Sequence, residues 1–427
     1  MRTPVSVDRR TFLTTTAATA GVLSTGARSA AQDYSDYSQD PRPDVPEGSW
    51  TCGGPDGPVF AGSPVVSGPA SEAICVLQPL QRLATGHLEY AVADGPWQRV
   101  DGDEDGLAAL DENVLKFRLP PLPPGVLVRY RIVARAAGWI KVRQFYHGEF
   151  KVGEEQVGPE RRFCTLDPAA KKTTFAVWND THENPDTLRA LDTLTNHLAP
   201  DFMLWNGDQS NDVHFQNQMA GQFLAPEGLA IADKWPLAYV RGNHDCRGPA
   251  AQSVANFTGT PGDRFYYAFR SGPLAAIVLD TGEDKPDGVP YLSGMGAFQK
   301  MAKAQAEWLQ EFVKTPWFQQ APHKVLFCHI PMWFDHPRIP GSTSNVAAHL
   351  RDLCADTLVD AGVKLVISGH THDYQWMPKK EGQPIAQLIG GAPRPKYATF
   401  IQGEATQETL HLKMSLLDGT ILTDVTL

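Results

Sequence analysis

A chain of 427 residues is too long for one ordinary domain, so two are expected, with room for extra segments. Its 42% hydrophobic and 20% charged residues are those of a soluble globular protein, and no run beyond the first thirty residues is long and apolar enough to span a bilayer. A net charge of -10 provides no basic footprint for nucleic acid, which argues against a polynucleotide partner.

The first segment is VDRRTFLTTTAATAGVLSTGARSAAQ. It carries Arg9-Arg10, then Phe12-Leu13, then a weakly hydrophobic stretch, with Ser29-Ala30-Ala31 as small residues for cleavage before Gln32. Residues 1–31 resemble a twin-arginine export signal, although Asp8 and Thr14 stand where Ser or Thr and Lys are common. The resemblance implies the twin-arginine translocase as a partner, passage in the folded state, and a periplasmic or secreted destination. The alternative is an ordinary tail with a chance arginine pair.

Residues 32–58, rich in Pro, Asp and Gly, read as a linker. From Val59 to Leu166 short alternating runs such as GHLEYAVAD, VLKFRLPPL and VLVRYRIVAR, separated by Gly/Pro turns, predict a small all-β sandwich over 59–166. LPPLPPGVLVRYRIVA is similar to the late-strand region of fibronectin-type-III-like domains, with Tyr130 keeping one of two expected aromatics. The acidic run DGDEDG at 101–106 reads as a solvated hairpin loop rather than a calcium site. Six cysteines are scattered without a CxxC, so a zinc ribbon is excluded and no pairing can be read from their spacing.

From Lys172 the rhythm changes. TTFAVWND is an apolar strand ending in polar residues, and PDTLRALDTLTNHL has helical periodicity. DFMLWNGD, PLAYVRGNHD, LAAIVLDTG, KVLFCHIP and KLVISGHTH repeat the strand design. A helix near 214–224, FQKMAKAQAEWLQEFV and NVAAHLRDLCADTLVDAG connect them, and the last forty residues read as antiparallel strands. The fold class expected over 172–427 is α/β, a layered β-sandwich core flanked by helices, preceded by the small all-β domain. In such cores sites form at the carboxyl ends of strands.

Five strand ends carry Asp180-Thr181-His182, Gly207-Asp208, Gly242-Asn243-His244-Asp245, His329 and Gly369-His370-Thr371-His372. Carboxylate, amide and imidazole donors without cysteine suit Mn, Fe, Zn, Ni or Co. Each fragment alone occurs by chance; their order, each after an apolar strand, does not. The set resembles the calcineurin-like metallophosphoesterase superfamily, whose pattern runs DxH, GD, GNH(D/E), a single His, then GHxH. The resemblance implies two metal ions, both divalent or one trivalent and one divalent, such as Mn, Fe or Zn. The first would take Asp180, His182, Asp208 and His372; the second Asp208, Asn243, His329 and His370. Against four positive charges, Asp180, Asp208 and a bridging hydroxide return three, which leaves about one for an anionic phosphate.

The implied activity is hydrolysis of phosphate esters by a metal-bound hydroxide, with His244 protonating the leaving oxygen and Asp245 orienting and charging its ring. A structural turn pair is the alternative for His244 and Asp245. A sandwich ahead of this core is similar to the layout of purple acid phosphatases, as is HIPMWF. Those enzymes have DxG in the first motif and a tyrosine three residues after the GD aspartate. Here His182 and Asn211 stand at those positions, so the tyrosine-to-iron colour is expected to be absent. Small phosphate monoesters are expected over diesters of the nuclease or phospholipase type, and a non-catalytic surface-binding protein is the remaining reading. Asn179, Asp212, His214, Arg247, Trp333, Phe334 and His336 lie near the motifs and are candidates to shape a pocket.

Overall fold

Two sheets packed face to face organise the chain from Lys172 onward. The computed structural model describes residues 50–70, 72–103, 105–141, 148–334 and 347–427; the expected signal segment, most of the expected linker and His336 lie outside the described residues. In the first sheet the strands Lys172–Trp178, Phe202–Asn206 and Leu237–Val240 run parallel, and Thr399–Thr406, Leu410–Leu416 and Ile421–Thr426 extend it antiparallel. In the second, Leu274–Val278, His323–Phe327, Leu365–Ser368 and Ala386–Ile389 run parallel, with Tyr267–Ser271 and Gln375–Met377 as antiparallel edges.

Alternation along each strand decides what meets what. Phe175, Val177, Phe202, Leu204, Ala238 and Val240 point inward against Ala276, Val278, Val325, Phe327, Leu365 and Ile367. The intervening residues of the first sheet (Ala176, Trp178, Met203, Trp205, Leu237, Tyr239) face outward onto the helix Pro185–Leu198 and the helical turns over 216–224. Those of the second sheet (Ala275, Ile277, Leu326, Val366) meet the helices Phe298–Phe312 and Ala348–Asp360. Because both faces of these strands are buried, they read in sequence as continuous apolar runs. The result is four layers, helix–sheet–sheet–helix, with every parallel strand of a sheet ending at the same edge.

Pro185–Leu198 shows how local sequence sets an element. Pro185 occupies the first turn, and the Asn184 side chain accepts from the Asp186 and Thr187 backbone N–H groups, both at 3.1 Å. Such a cap contributes about 1 kcal/mol. Leu188 and Leu191 turn inward, and Ala199 ends the helix in a left-handed conformation.

The N-terminal region departs from the expected separate domain. A seven-stranded antiparallel sheet forms around the long strand Leu127–Lys141. The strands facing it, Val65–Ser67, Cys75–Pro79 and Val114–Arg118, continue the first sheet of the layered core, because Ser67 pairs in parallel with Leu237. Their two faces therefore serve two cores. Val66, Val76, Leu115 and Phe117 pack against Leu88, Tyr130 and Ile132, whereas Val65, Cys75, Leu77 and Val114 join Trp205 and Leu237. Polar ties reinforce the junction: the Tyr130 hydroxyl donates to the Asp233 carbonyl at 2.9 Å, Arg161 pairs with the Asp233 carboxylate, and Lys116 and Arg118 both pair with Asp263. The expected linker is also shorter than read. Trp50–Gly53 is a strand paired with Leu127–Lys141, its sequence too short and Gly-rich to announce itself. Among the described residues all six cysteines are free, and no helix is long and apolar enough to cross a membrane.

Candidate metal centre

All five polar strand ends converge where the carboxyl ends of the two sheets meet. The backbones of the first two zip together: Asp180 N–H donates to the Gly207 carbonyl at 3.2 Å, and His182 N–H to that of Asp208 at 3.0 Å. Asp180, His182, Asp208, His370 and His372 all take positive φ, between 44° and 71°. Left-handed backbone costs a residue with a side chain on the order of 1–3 kcal/mol. The fold tolerates that strain because it turns each side chain out of its strand direction toward a common point. Glycines make room for the result. A Cβ on Gly242 would lie 2.2 Å from Asp208 Oδ1, and one on Gly369 would lie 2.3 Å from Asp180 Oδ2.

Two donor sets overlap at Asp208. Donor atoms of Asp180, His182, Asp208 and His372 lie within 4.8 Å of one another, as do those of Asp208, His329 and His370. His182 Nε2 is 3.4 Å and His329 Nε2 3.1 Å from Asp208 Oδ2, and His372 Nε2 is 3.6 Å from Asp180 Oδ1. Asn243 Oδ1 completes the second set, 3.2 Å from His329 Nε2 and 2.9 Å from His370 Nδ1. His329 Nδ1 faces the Asn206 carbonyl at 3.0 Å. That carbonyl can only accept, so the Nδ1 proton is spoken for and Nε2 is left to aim its lone pair inward.

The donor chemistry fits metal ions. Asp180 and Asp208 are buried, at 0% and 1% exposure, and among the described residues no lysine or arginine pairs with either. Two buried carboxylates with only imidazoles and backbone N–H groups around them call for positive charge. His182 Nε2 and His372 Nε2 stand 3.0 Å apart, a distance that a shared proton or a common cation has to explain. Without a metal the cluster redistributes protons. Burial, reinforced by Asp208, pushes Asp180 up to about 7. Burial disfavours charge on His329, but Asp208 and Asp180 override it and hold the ring up to about 10. Burial also pushes Asp208 up, yet His329 and His182 carry it well below the usual carboxylate range. Burial, aided by His329, pulls His370 down to about 3, which keeps it a neutral donor.

His244 sits on the rim, its ring edge-on to His182 at 4.7 Å between centroids. Its partners are not those expected. The Asp245 carboxylate turns away and accepts from the backbone N–H groups of Asp208 (3.1 Å), Ser210 (3.1 Å) and Gly242 (2.8 Å) and from the Ser210 hydroxyl (2.8 Å). Asp245 therefore ties the Gly207-Asp208 loop to the Gly242-Asn243 loop and does not orient the His244 ring. Successive residues of the short turn His244–Cys246 project in different directions, which spacing alone cannot reveal. The ring is held instead by the Asn211 carbonyl, 2.6 Å from Nδ1, and by Arg247 Nη1, 3.0 Å from Nε2.

Other sequence candidates separate. Asn179 is buried and accepts from Asn206 Nδ2 at 2.7 Å, bracing the first two strand ends. Trp333 and Phe334 are packed into cores, and His214 and Asp212 lie on the loop before the helical turns. The Asn211 side chain donates to the His182 carbonyl at 3.2 Å. A sixth strand end escaped the sequence reading. Beyond Leu274–Val278, Asp280 pairs with Arg241 at 2.6 Å, Glu283 with Arg247 at 2.8 Å, and Asp284 lies 3.8 Å from His370 Nε2. Its signal was LDTGED, an apolar strand closing on carboxylates like the other five.

The model of the calcineurin-like phosphoesterase family matches residues 173–374, the stretch that carries all five motifs. Over residues 173–374 the chain is therefore similar to calcineurin-like phosphoesterases. Curated relatives include the serine/threonine-protein phosphatase CPPED1 of Rattus norvegicus, 30% identical over 169 residues covering 39% of this chain and 48% of the relative. The Homo sapiens protein of that name is 30% identical over 139 residues, covering 32% of this chain and 41% of the relative. The chain thus spans under half the length of either relative. Among solved structures, the purple acid phosphatase PPD1 from yellow lupin matches with a TM-score of 0.63 at 13% identity, covering 85% of this chain and 73% of that one. That coverage is more than residues 172–427 can supply, so the shared architecture takes in part of the N-terminal β region as well.

Proposed function

We propose that this protein is an exported, dinuclear-metal hydrolase of phosphate esters, with small monoesters preferred over diesters. The observation that carries the reading is the pair of donor sets sharing Asp208. Asp180, His182, Asp208 and His372 would hold one metal; Asp208, Asn243, His329 and His370 would hold the other. Divalent ions there supply positive charge to phosphoryl oxygens and acidify water for attack on phosphorus. The chain's own residues do the rest. Buried Asp180 and Asp208 set the charge of the centre, and the Asp245 anchor keeps Asp208 in place between the sets. His244, beside His182 on the rim, is positioned to hand a proton to the leaving oxygen. The monoester preference draws on the purple-acid-phosphatase-like architecture and on a net charge of -10, which disfavours polyanionic diesters. The CPPED1 relatives are themselves named as phosphatases.

The deciding experiment compares an aryl phosphate monoester with the matching diester. Protein stripped of metal and reloaded with Mn, Zn or Fe is assayed beside Asp208→Asn. Metal-dependent turnover that vanishes in the variant is expected, faster on the monoester. A faster diester would move the reading to a phosphodiesterase, and absence of both metal binding and turnover would overturn it. Export rests on Arg9-Arg10 and the segment to Ala31. Replacing both arginines by lysine is expected to leave the protein in the cytoplasmic fraction; unaltered export would refute that part. Iron-loaded protein is expected to lack the purple tyrosinate band, because Asn211 stands where the tyrosine would.

A further inference from the structure

We infer that Arg247 is a direct ligand of the phosphoryl group, held ready by Glu283; the inference rests on the phosphoesterase reading and names a residue outside its metal-ligand pattern. The Glu283 side chain is fully buried, and Arg247 grips it with two parallel bonds, Nε to Oε2 and Nη2 to Oε1, each 2.8 Å. This fork-on-fork pairing fixes the guanidinium plane and removes most of its rotamer freedom before any ligand arrives. The third nitrogen, Nη1, is thereby aimed at the site, 3.0 Å from His244 Nε2.

Arg247 thereby also lies against the ring of His244. The ring Nδ1 lies 2.6 Å from the Asn211 carbonyl, which can only accept, so Nδ1 carries the hydrogen. Arg247 Nη1 lies 3.0 Å from Nε2 and 3.5 Å from Nδ1, so the guanidinium rests against the ring rather than along the Nε2 lone pair. An anionic phosphoryl oxygen is a better acceptor for Nη1 than a neutral imidazole nitrogen. A phosphate seated on the metal cluster, one ring away across His182, would draw Nη1 from the ring to itself. Arg247 thus binds substrate through its phosphoryl group. A purely structural Arg247 would neutralise Glu283 and do nothing more.

Two readouts separate these roles: titration of inorganic phosphate into the metal-loaded full chain, and kcat/KM for an aryl and an alkyl phosphate monoester. A charged hydrogen bond lost to phosphate predicts that Arg247→Met weakens phosphate binding by about 10- to 100-fold. The loss of kcat/KM should be similar for both esters, because the phosphoryl group is common to them. Arg247→Lys, which keeps the charge without the fork and serves if the methionine variant does not fold, should recover only part of the binding. Glu283→Gln should weaken phosphate binding while both metals stay bound. Unchanged phosphate affinity in Arg247→Met, or a loss confined to the alkyl ester, would overturn the inference and leave the hydrolase intact. Wild-type protein that binds phosphate through Arg247 but turns over no ester would overturn the hydrolase and leave the phosphate ligand. Wild-type protein that neither binds phosphate nor turns over any ester would overturn both.

Discussion

Asp208 carries more of the site than any other side chain, because both donor sets and two loop anchors meet on it. Its Oδ2 faces His182 and His329, and its Oδ1 accepts from the His244 backbone N–H at 2.9 Å. Asp208→Asn should therefore cost more metal affinity than the roughly 10- to 100-fold that losing an outer partner costs, read by metal content after dialysis. Asp245→Asn is such an outer-partner change. Metal affinity should fall by about 10- to 100-fold, with little change in leaving-group dependence. A large leaving-group effect with metals retained would restore Asp245 to the His244 ring. The identities of the ligands were legible in sequence, since each is a polar residue terminating an apolar strand. The partner of Asp245 was not, because side-chain direction within a three-residue turn is set by backbone angles.

The protonation of the metal-free cluster makes a second residue-level prediction. Asp180 and His329 both have folded values above their unfolded ones, about 7 and about 10. Each therefore contributes stability that is present below its unfolded pKa and is lost as pH rises through the folded value. His370, pulled down to about 3, and His372, pulled down to about 4, act in the opposite sense below about pH 6.5. The melting temperature of metal-stripped protein should therefore fall only from about pH 7 to about pH 10, as Asp180 and His329 lose their protons. Metal-loaded protein should show the opposite trend over the lower half of that range, because its ligands bind metal only when deprotonated. Parallel curves for the two forms would mean that the cluster is not where metal binds.

Among the elements, the strand ends matter more than the strands. Gly242 has Asp208 where its Cβ would be, so Gly242→Ala must displace either the carboxylate or the Asn243 loop. The expected result is loss of metal out of proportion to loss of stability, measured by metal content against melting temperature. A helix edit should behave in the reverse way. Asn184→Ala removes the cap of Pro185–Leu198 and should cost about 1 kcal/mol of stability without changing metal content. The helices and buried strands were readable because their periodicity is strong: PDTLRALDTLTNHL coincides with Pro185–Leu198. Trp50–Gly53 was not, since four residues cannot display a period.

For the whole molecule, the decisive feature is that the N-terminal β region shares a sheet with the layered core. Val65, Cys75, Leu77 and Val114 cover Trp205 and Leu237, and Val65–Ser67 occupies the edge beside Leu237–Val240. Burying each of those apolar side chains is worth about 1.5–3 kcal/mol. Residues 172–427 expressed alone should therefore melt well below the full chain, or aggregate through the bared edge. A fragment as stable as the full chain would show that the junction contributes nothing.

By itself the sequence determined the order of strands and helices, the residues that end those strands, and the kind of chemistry their donors can support. These are local properties, written as periodicity and as polar groups at fixed points after apolar runs. Only the tertiary structure decided that three N-terminal strands complete the central sheet, that Asp245 anchors a loop rather than a ring, and that Glu283 and Arg247 stand beside His244. Each of these depends on which distant segments the packing of two sheets brings within a few ångströms, a relation that no spacing along the chain encodes.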